Sequence, residues 1–460
     1  METPTNLSEA LNSASLDKFH IRSMFVAGMG FFTDAYDLFI IGVALALIKN
    51  EFHPTAFEIG LVGSTALLAA FIGATIFGWV ADKFGRKSVY GVEATIMALA
   101  AIASAFSPNI IWLIVFRFIL GIAIGGDYPV SAVIMSEYAN TKDRGKLVGM
   151  VFSMQAVGLV AGPLVALILL LSGIPHDLAW RLMLGLGAIP AASVIYLRRK
   201  MPESPRYLSR VKGQTEQAAT QLREYTDGKI AVDVKSEGQV RAGLSKYILT
   251  LVGTAGTWFV FDYAYYGNSI STPLILKAVA PSASLITSTL MTLLIFLIAA
   301  VPGYILAFLF MDRIGHKRLQ LIGFALMGLA FLAIGVLPGI TKEIVPFIII
   351  YGISYFFAEF GPNTTTFVLS AELYPVNLRT TGHGLSAGIA KIGAFIGVFL
   401  FPIIEATLGL NGTLDITFVF ALVGFGLTLL LPEPAGRSLE EVSKEDQYMV
   451  RVPVSAVAGD

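Results

Sequence analysis

Twelve apolar runs, each long enough to cross a bilayer, constrain this chain more than any other feature. They fall near residues 24–48, 59–81, 89–106, 110–137, 146–172 and 178–198. After a polar interval come 247–276, 285–310, 319–339, 344–373, 380–404 and 415–431. A hydrocarbon core about 30 Å thick needs about 20 apolar residues of helix to span it. The sequence therefore predicts an all-α integral membrane protein of twelve transmembrane helices with the lipid bilayer as solvent. Composition agrees: 55% of residues are hydrophobic and 14% are charged, against about a quarter charged in soluble domains.

The polar stretches divide the chain. Residues 1–20 read as a tail and 21–198 as an N-terminal six-helix bundle. Residues 199–246 read as a solvated linker with short surface helices around Gln214–Tyr225. Residues 247–431 form a C-terminal six-helix bundle and 432–460 a second tail. Glu2, Glu9, Asp17 and Lys18 interrupt the first twenty residues, which lack the apolar core of a cleavable leader. Lysine and arginine cluster on alternate loops: Lys83, Arg86, Lys87, Lys142, Arg144, Lys146, Arg313, Lys317, Arg318 and Arg379. The opposite loops carry Lys49, Lys277 and Lys342, with Arg181 near a helix end. The positive-inside rule then places both termini in the cytoplasm of a multi-pass protein of the cell membrane.

Other classes of function are excluded. The absence of cysteine removes disulfides and thiolate chemistry. Five scattered histidines offer no metal spacing, so no metal or other cofactor is expected. No nucleophile–base pair or phosphate-cradling glycine loop supports an enzyme. A net charge of zero points to no nucleic-acid partner.

The two halves repeat one another. "DKFGRK" (Asp82–Lys87) recurs as "DRIGHK" (Asp312–Lys317), 230 residues on. Glu137, Arg144, Gly158 and Gly162 recur as Glu372, Arg379, Gly393 and Gly397, 235 residues on. Parallel six-helix repeats with a binding site between them near the bilayer midplane are one transporter architecture. "GWVADKFGRK" (Gly78–Lys87) resembles the loop motif of the major facilitator superfamily. Arg117, Gly121, Gly125 and Pro129 in "RFILGIAIGGDYP" resemble its fourth-helix motif. "GLVAGP" (Gly158–Pro163) matches an antiporter motif only in part, and reads as close helix packing. The resemblance implies the major facilitator fold, two pseudo-symmetric bundles.

A charge deep in a membrane costs at least ~2.5–3.5 kcal/mol, so each one needs a reason. Lys391, in "SAGIAKIGAFIG", lies about 17 Å along a helix that starts near Thr380, at about 1.5 Å per residue. It reads either as a structural ion pair or as a cation for an anionic substrate. Trp258, Asp262 and Tyr266 share one helix face, either as a core stripe whose acid pairs with Lys391 or as a cavity wall. A carboxylate beside an anion site repels the anion unless one of them holds a proton. Asp34 and Asp37 are spaced to face one side of the first helix, where two close acids disfavour double ionisation. Arg117 reads as structural and Glu93 as an interhelical hydrogen bond. Asp82, Arg86, Glu137, Arg144, Asp312, Glu372 and Arg379 read as a cytoplasmic gate or scaffold. Gln155, Tyr128 and Asn363 add neutral donors suited to a tetrahedral oxyanion, and Gly361 and Pro362 permit a break beside Asn363.

"GGDYPVSAVIMSE" (Gly125–Glu137) closely resembles the signature of the phosphate:proton symporter family. "GFFTDAYDLF", "FGPNTTTF" and "AELYPVNLRTTGHGLSAGIAKIGA" are similar to other segments of that family. The resemblance implies import of inorganic phosphate coupled to protons by alternating access, in a protein functional as a monomer. It implies phosphate ligands at Tyr128, Gln155, Trp258, Asp262, Tyr266, Asn363 and Lys391. It implies proton carriers at Asp34, Asp127 and Asp262, with Asp37 nearby; Asp127 is expected to have Lys391 across from it. Glu359 departs from the pattern, where an uncharged residue is expected, one turn before Asn363. The alternatives are a symporter of another solute, an organic anion or a sugar, and a phosphate-binding sensor. "PESPRYL" (Pro202–Leu208) is similar to sugar porters too, whereas a buried lysine favours an anion.

Overall fold

The computed structural model describes residues 7–228, 238–337 and 339–450. The outer ends of both tails and part of the linker lie outside these. Among the described residues eleven helices are long and apolar enough to cross a membrane. The first half comprises α1 (Lys18–Phe52), α2 (Phe57–Phe84), α3 (Arg86–Ala105), α4 (Ile110–Tyr138), α5 (Arg144–Leu171) and α6 (His176–Lys200). The second comprises α7 (Leu244–Ile270), α8 (Leu285–Ile314), α9 (His316–Val336), α10 (Ile344–Glu372) and a fifty-residue helix, Arg379–Thr428. Fifty residues reach about 75 Å, more than twice the hydrocarbon thickness. Gly409, at φ 71°, breaks that helix, so it holds two spans, α11 (379–408) and α12 (410–428). The architecture is the expected twelve-helix one.

Helix ends follow their sequence signals. The Asp17 and Thr55 side chains cap α1 and α2 in reciprocal boxes with His20 and Glu58, which satisfies orphan backbone donors. Asn109 caps α4, accepting from the N–H groups of Ile111 and Trp112 at 3.1 Å each. Two expected boundaries move. The span placed at 247–276 ends at Ile270, where Ser271 leaves helical geometry, and a separate helix Thr272–Val279 follows. The gap expected at 405–414 shrinks to Gly409 alone, whose non-helical backbone is the turn between α11 and α12.

Side chains are sorted inside out. Leu99, Ile168, Leu171, Ile189, Leu249, Ile298 and Leu422 are exposed on the outer surface, where lipid solvates them, while ionisable groups lie within. Glycines bring backbones together. A Cβ on Gly125 of α4 would lie 2.0 Å from the Ala70 carbonyl oxygen of α2. The repeat-related Gly158 and Gly393 make equivalent contacts, on Phe32 of α1 and Phe259 of α7, at 2.4 and 2.3 Å from the carbonyl oxygens. The halves meet where Gly384 of α11 abuts Ala74 of α2, and where Gly149 of α5 abuts Phe308 and Met311 of α8.

The linker is less solvated than its composition suggests. Thr215–Tyr225 is helical as expected. The preceding helix Pro205–Arg210, however, is buried. Arg206 donates to Glu440 at 2.9 Å, and Arg210 pairs with Glu445. A two-stranded antiparallel ribbon, β1 (Gln239–Val240) with β2 (Met449–Val450), ties linker to tail. These arginines find acids in the tail, a partnership that linker composition alone does not show.

Candidate substrate site between the two halves

Lys391 lies between the halves, 1% exposed. Its Nζ donates to Asp262 Oδ2 at 3.0 Å and to the Tyr266 hydroxyl at 3.1 Å, both on α7. It also lies 4.7 Å from the ring centroid of Tyr128 on α4 and 4.3 Å from that of Tyr266. The ion-pair reading of the lysine is thus realised, at the boundary of the halves. Trp258 packs against Tyr128, with ring centroids 5.9 Å apart.

A second network crosses the boundary. The Tyr128 hydroxyl donates to Asp34 Oδ2 on α1 at 2.6 Å, and Gln155 Nε2 on α5 donates to the same oxygen at 3.0 Å. Tyr304 on α8 donates to Gln155 Oε1 at 2.9 Å. Asn363 Nδ2 donates to the Tyr304 hydroxyl at 2.8 Å and to Glu359 Oε2 at 2.5 Å. At that point α10 opens into a π-helical turn over Glu359–Asn363, with Gly361 outside helical geometry. Proline removes a backbone donor, and the turn aims Asn363 at the interface. Tyr128, Gln155, Trp258, Asp262, Tyr266, Asn363 and Lys391 therefore occupy one buried region, joined by Asp34. Tyr304, one aromatic in the apolar run "VPGYILAF", was missed; no local pattern marks it.

Two expectations are corrected. Asp127 does not face Lys391. Adjacent residues on a helix point about 100° apart at 3.6 per turn, so Tyr128 faces the centre and Asp127 faces α6. There Asp127 pairs with Arg198 at 2.5 Å and accepts from Ser131 at 2.7 Å, while Arg198 also holds Glu93 at 2.9 Å. Arg198 was hidden in the basic run "LRRK", which reads as a topology signal. Asp37 does not share a site with Asp34 either. It pairs with Arg117 at 3.1 Å, and Arg117 in turn donates to the Val62 carbonyl at 2.7 Å.

The end of the bundle carrying the basic loops is closed by a repeated ionic lock. Asp82 accepts from the N–H groups of Thr380 and Thr381, at 3.3 and 2.6 Å, at the start of α11. Asp312 accepts from those of Gly145 and Lys146, at 3.0 and 2.7 Å, at the start of α5. Each acid thus meets the positive end of a helix dipole across the boundary. Glu137 accepts from Arg86 of its own half at 2.9 Å and from Arg379 of the other at 3.1 Å. Glu372 faces His316 at 3.0 Å and Arg144 of the other half at 2.8 Å. The pairs close in sequence, Glu137 with Arg144 and Glu372 with Arg379, exchange partners across the halves. Glu445 from the tail also holds Arg379 at 3.1 Å. Burial pushes the Glu440 carboxyl up, but the Arg206 and Arg210 guanidinium groups outweigh it and hold it below the usual range. At Glu445 burial prevails over Arg379 and Arg210, and its carboxyl is raised.

Comparison with known proteins follows this geometry. The family model for sugar (and other) transporters matches residues 23–445. "Low affinity inorganic phosphate transporter 4" of Medicago truncatula is 37% identical, over 95% of this chain and 94% of its own. "Probable inorganic phosphate transporter 1-6" of Arabidopsis thaliana is 35% identical, over 97% and 98%. Among solved structures, the major facilitator superfamily proton:xylose symporter XylE bound to 6-bromo-6-deoxy-D-glucose superposes with a TM-score of 0.76. It is 21% identical and covers 93% of this chain and 98% of its own. The inward-open xylose transporter XylE from E. coli superposes at 0.64, with 19% identity over 92% and 99%. At these identities the solved structures establish the fold alone.

Proposed function

Because this chain belongs to the sugar (and other) transporter family of the major facilitator superfamily, we propose that it imports inorganic phosphate with protons by alternating access. The observation that carries this reading is Lys391, a buried cation bonded to Asp262 and Tyr266 in one half and lying against the Tyr128 ring of the other. The curated relatives named as inorganic phosphate transporters supply the substrate. A neutral sugar would leave the lysine's charge to Asp262 alone.

In this reading dihydrogen phosphate enters between the halves. Its oxygens accept hydrogen bonds from Tyr128, Gln155, Trp258, Tyr266, Asn363 and Lys391. Lysine is a compact phosphate-binding charge, and the ring of donors completes a tetrahedral shell. Asp262 holds Lys391 while the site is empty, and must take a proton or turn aside when phosphate binds. Asp34, which has no ion-pair partner among the described residues, is the leading proton carrier. Asp37 and Asp127, neutralised by Arg117 and Arg198, tune it from the sides. The ionic lock holds the basic end shut, and its release exposes the site at that end. The bias of basic residues to these loops supports a cytoplasmic lock and cytoplasmic termini, and the reading takes the protein as a monomer in the plasma membrane.

The test is binding of labelled phosphate to the purified protein, challenged by sulfate, small carboxylates and xylose. Phosphate must compete best. Displacement by xylose or a carboxylate at lower concentration than by phosphate would refute the assignment.

A further inference from the structure

Two buried carboxylates, Asp34 and Glu359, have no ion-pair partner among the described residues. Asp37, Glu93, Asp127, Glu137, Asp262, Glu372, Glu440 and Glu445 are each paired with a cation. Each of the two lone acids accepts from a donor of the central site. Tyr128 donates to Asp34 in the first half, and Asn363 donates to Glu359 in the second. Asn363 stands 235 residues after Tyr128, the offset that relates Glu137 to Glu372. The two donors are thus repeat equivalents, each carrying one acid, and Gln155 and Tyr304 join them in one hydrogen-bonded chain.

We propose that Glu359 is a second proton-binding site, which couples proton binding to substrate binding by controlling the Asn363 amide. This inference rests on the transport reading above. Ionised, Glu359 draws the Asn363 N–H groups toward itself and away from the substrate. It also places an unpaired negative charge beside an anion site, a costly arrangement in a buried region. Protonated, it becomes neutral and releases Asn363 to donate to a phosphate oxygen. The titratable groups facing Glu359 are phenols: Tyr265 from α7, Tyr304 from α8 and Tyr355 from its own helix. The bend meets α9 at Gly323, backbone against backbone, so no cation from that side offsets the charge.

The experiment measures KM for labelled phosphate in proteoliposomes from pH 5 to pH 8, for the unaltered chain, Glu359→Gln and Glu359→Asp. Phosphate titrates in this range, but equally for all three, so the difference in slope isolates residue 359. The expected result is that log KM rises less steeply with pH in Glu359→Gln, by up to one tenfold step per pH unit, while Glu359→Asp retains the steeper slope. Parallel slopes, whatever the absolute KM, overturn the proposal and leave Glu359 a positioning residue. If Glu359→Gln does not fold, Glu359→Asn takes its place, and proton uptake per phosphate bound is compared with the unaltered chain in weakly buffered detergent, where Asp262 and phosphate itself contribute equally to both. Lower uptake in Glu359→Asn supports the second site, and equal uptake overturns it. Failure of the unaltered chain to take up phosphate at any pH would refute the transport reading instead.

Discussion

Glu137→Gln should shift the transporter toward the state open at its basic end. Glu137 and Arg379 are both fully buried and meet across the halves at 3.1 Å. The Glu137–Arg86 pair at 2.9 Å lies within one half and survives opening, so it cancels from the comparison. Only the Arg379 contact depends on state. A hydrogen bond to a charged group contributes about 1.5–3 kcal/mol, and each 1.4 kcal/mol is tenfold. The closed-to-open ratio should therefore fall by roughly 10- to 100-fold, somewhat less where Glu445 retains Arg379. Because the chain has no cysteine, spin labels can be attached uniquely at Lys142→Cys and Arg318→Cys. Both positions are exposed, one on each half. Double electron–electron resonance should show a longer-distance population appear in Glu137→Gln, and a similar one in Glu372→Gln. An unchanged distance distribution in both variants would refute the lock.

Three further outcomes follow from the same structure. Lys391→Ala strands Asp262 without its cation, which should cost about 3–5 kcal/mol, read as a lower unfolding temperature; adding Asp262→Asn should recover much of the stability but no phosphate binding. Gly125→Val drives side-chain atoms into the Ala70 carbonyl, 2.0 Å from a bare Cβ, and should abolish monodisperse protein in detergent, whereas valine at the exposed Gly426, open on all sides, should not. Glu440 has its carboxyl depressed in the fold, so its stabilisation is present above the unfolded value of ~4.3 and is lost only as pH falls below it. Limited proteolysis should find the tail docked at pH 6 to 8, and released across that range in Glu440→Gln.

The spans and the repeat were legible because length, hydropathy and loop charge are local properties. The partners of buried charges were not. Asp127 and Tyr128 are neighbours in sequence but serve different clusters, since helical rotation separates them. Arg198 looked like one basic residue among several at a helix end, yet it neutralises two acids. The exchange of partners between Glu137 and Glu372 had a sequence signal, the constant offset of the repeat, but adjacency to Arg144 and Arg379 suggested pairs within each half. Tyr304 carried no signal, because one tyrosine in an apolar span resembles any other core aromatic. Glu359 stood out as a charge within an apolar span and as a departure from the family pattern, and its geometry gives that departure a physical content.

The most direct measurement is phosphate accumulation in proteoliposomes under an imposed inward proton gradient. The account predicts accumulation above the external concentration, its collapse on adding a protonophore, and its absence in Lys391→Ala. Accumulation that survives the protonophore, or that persists in Lys391→Ala, would contradict it.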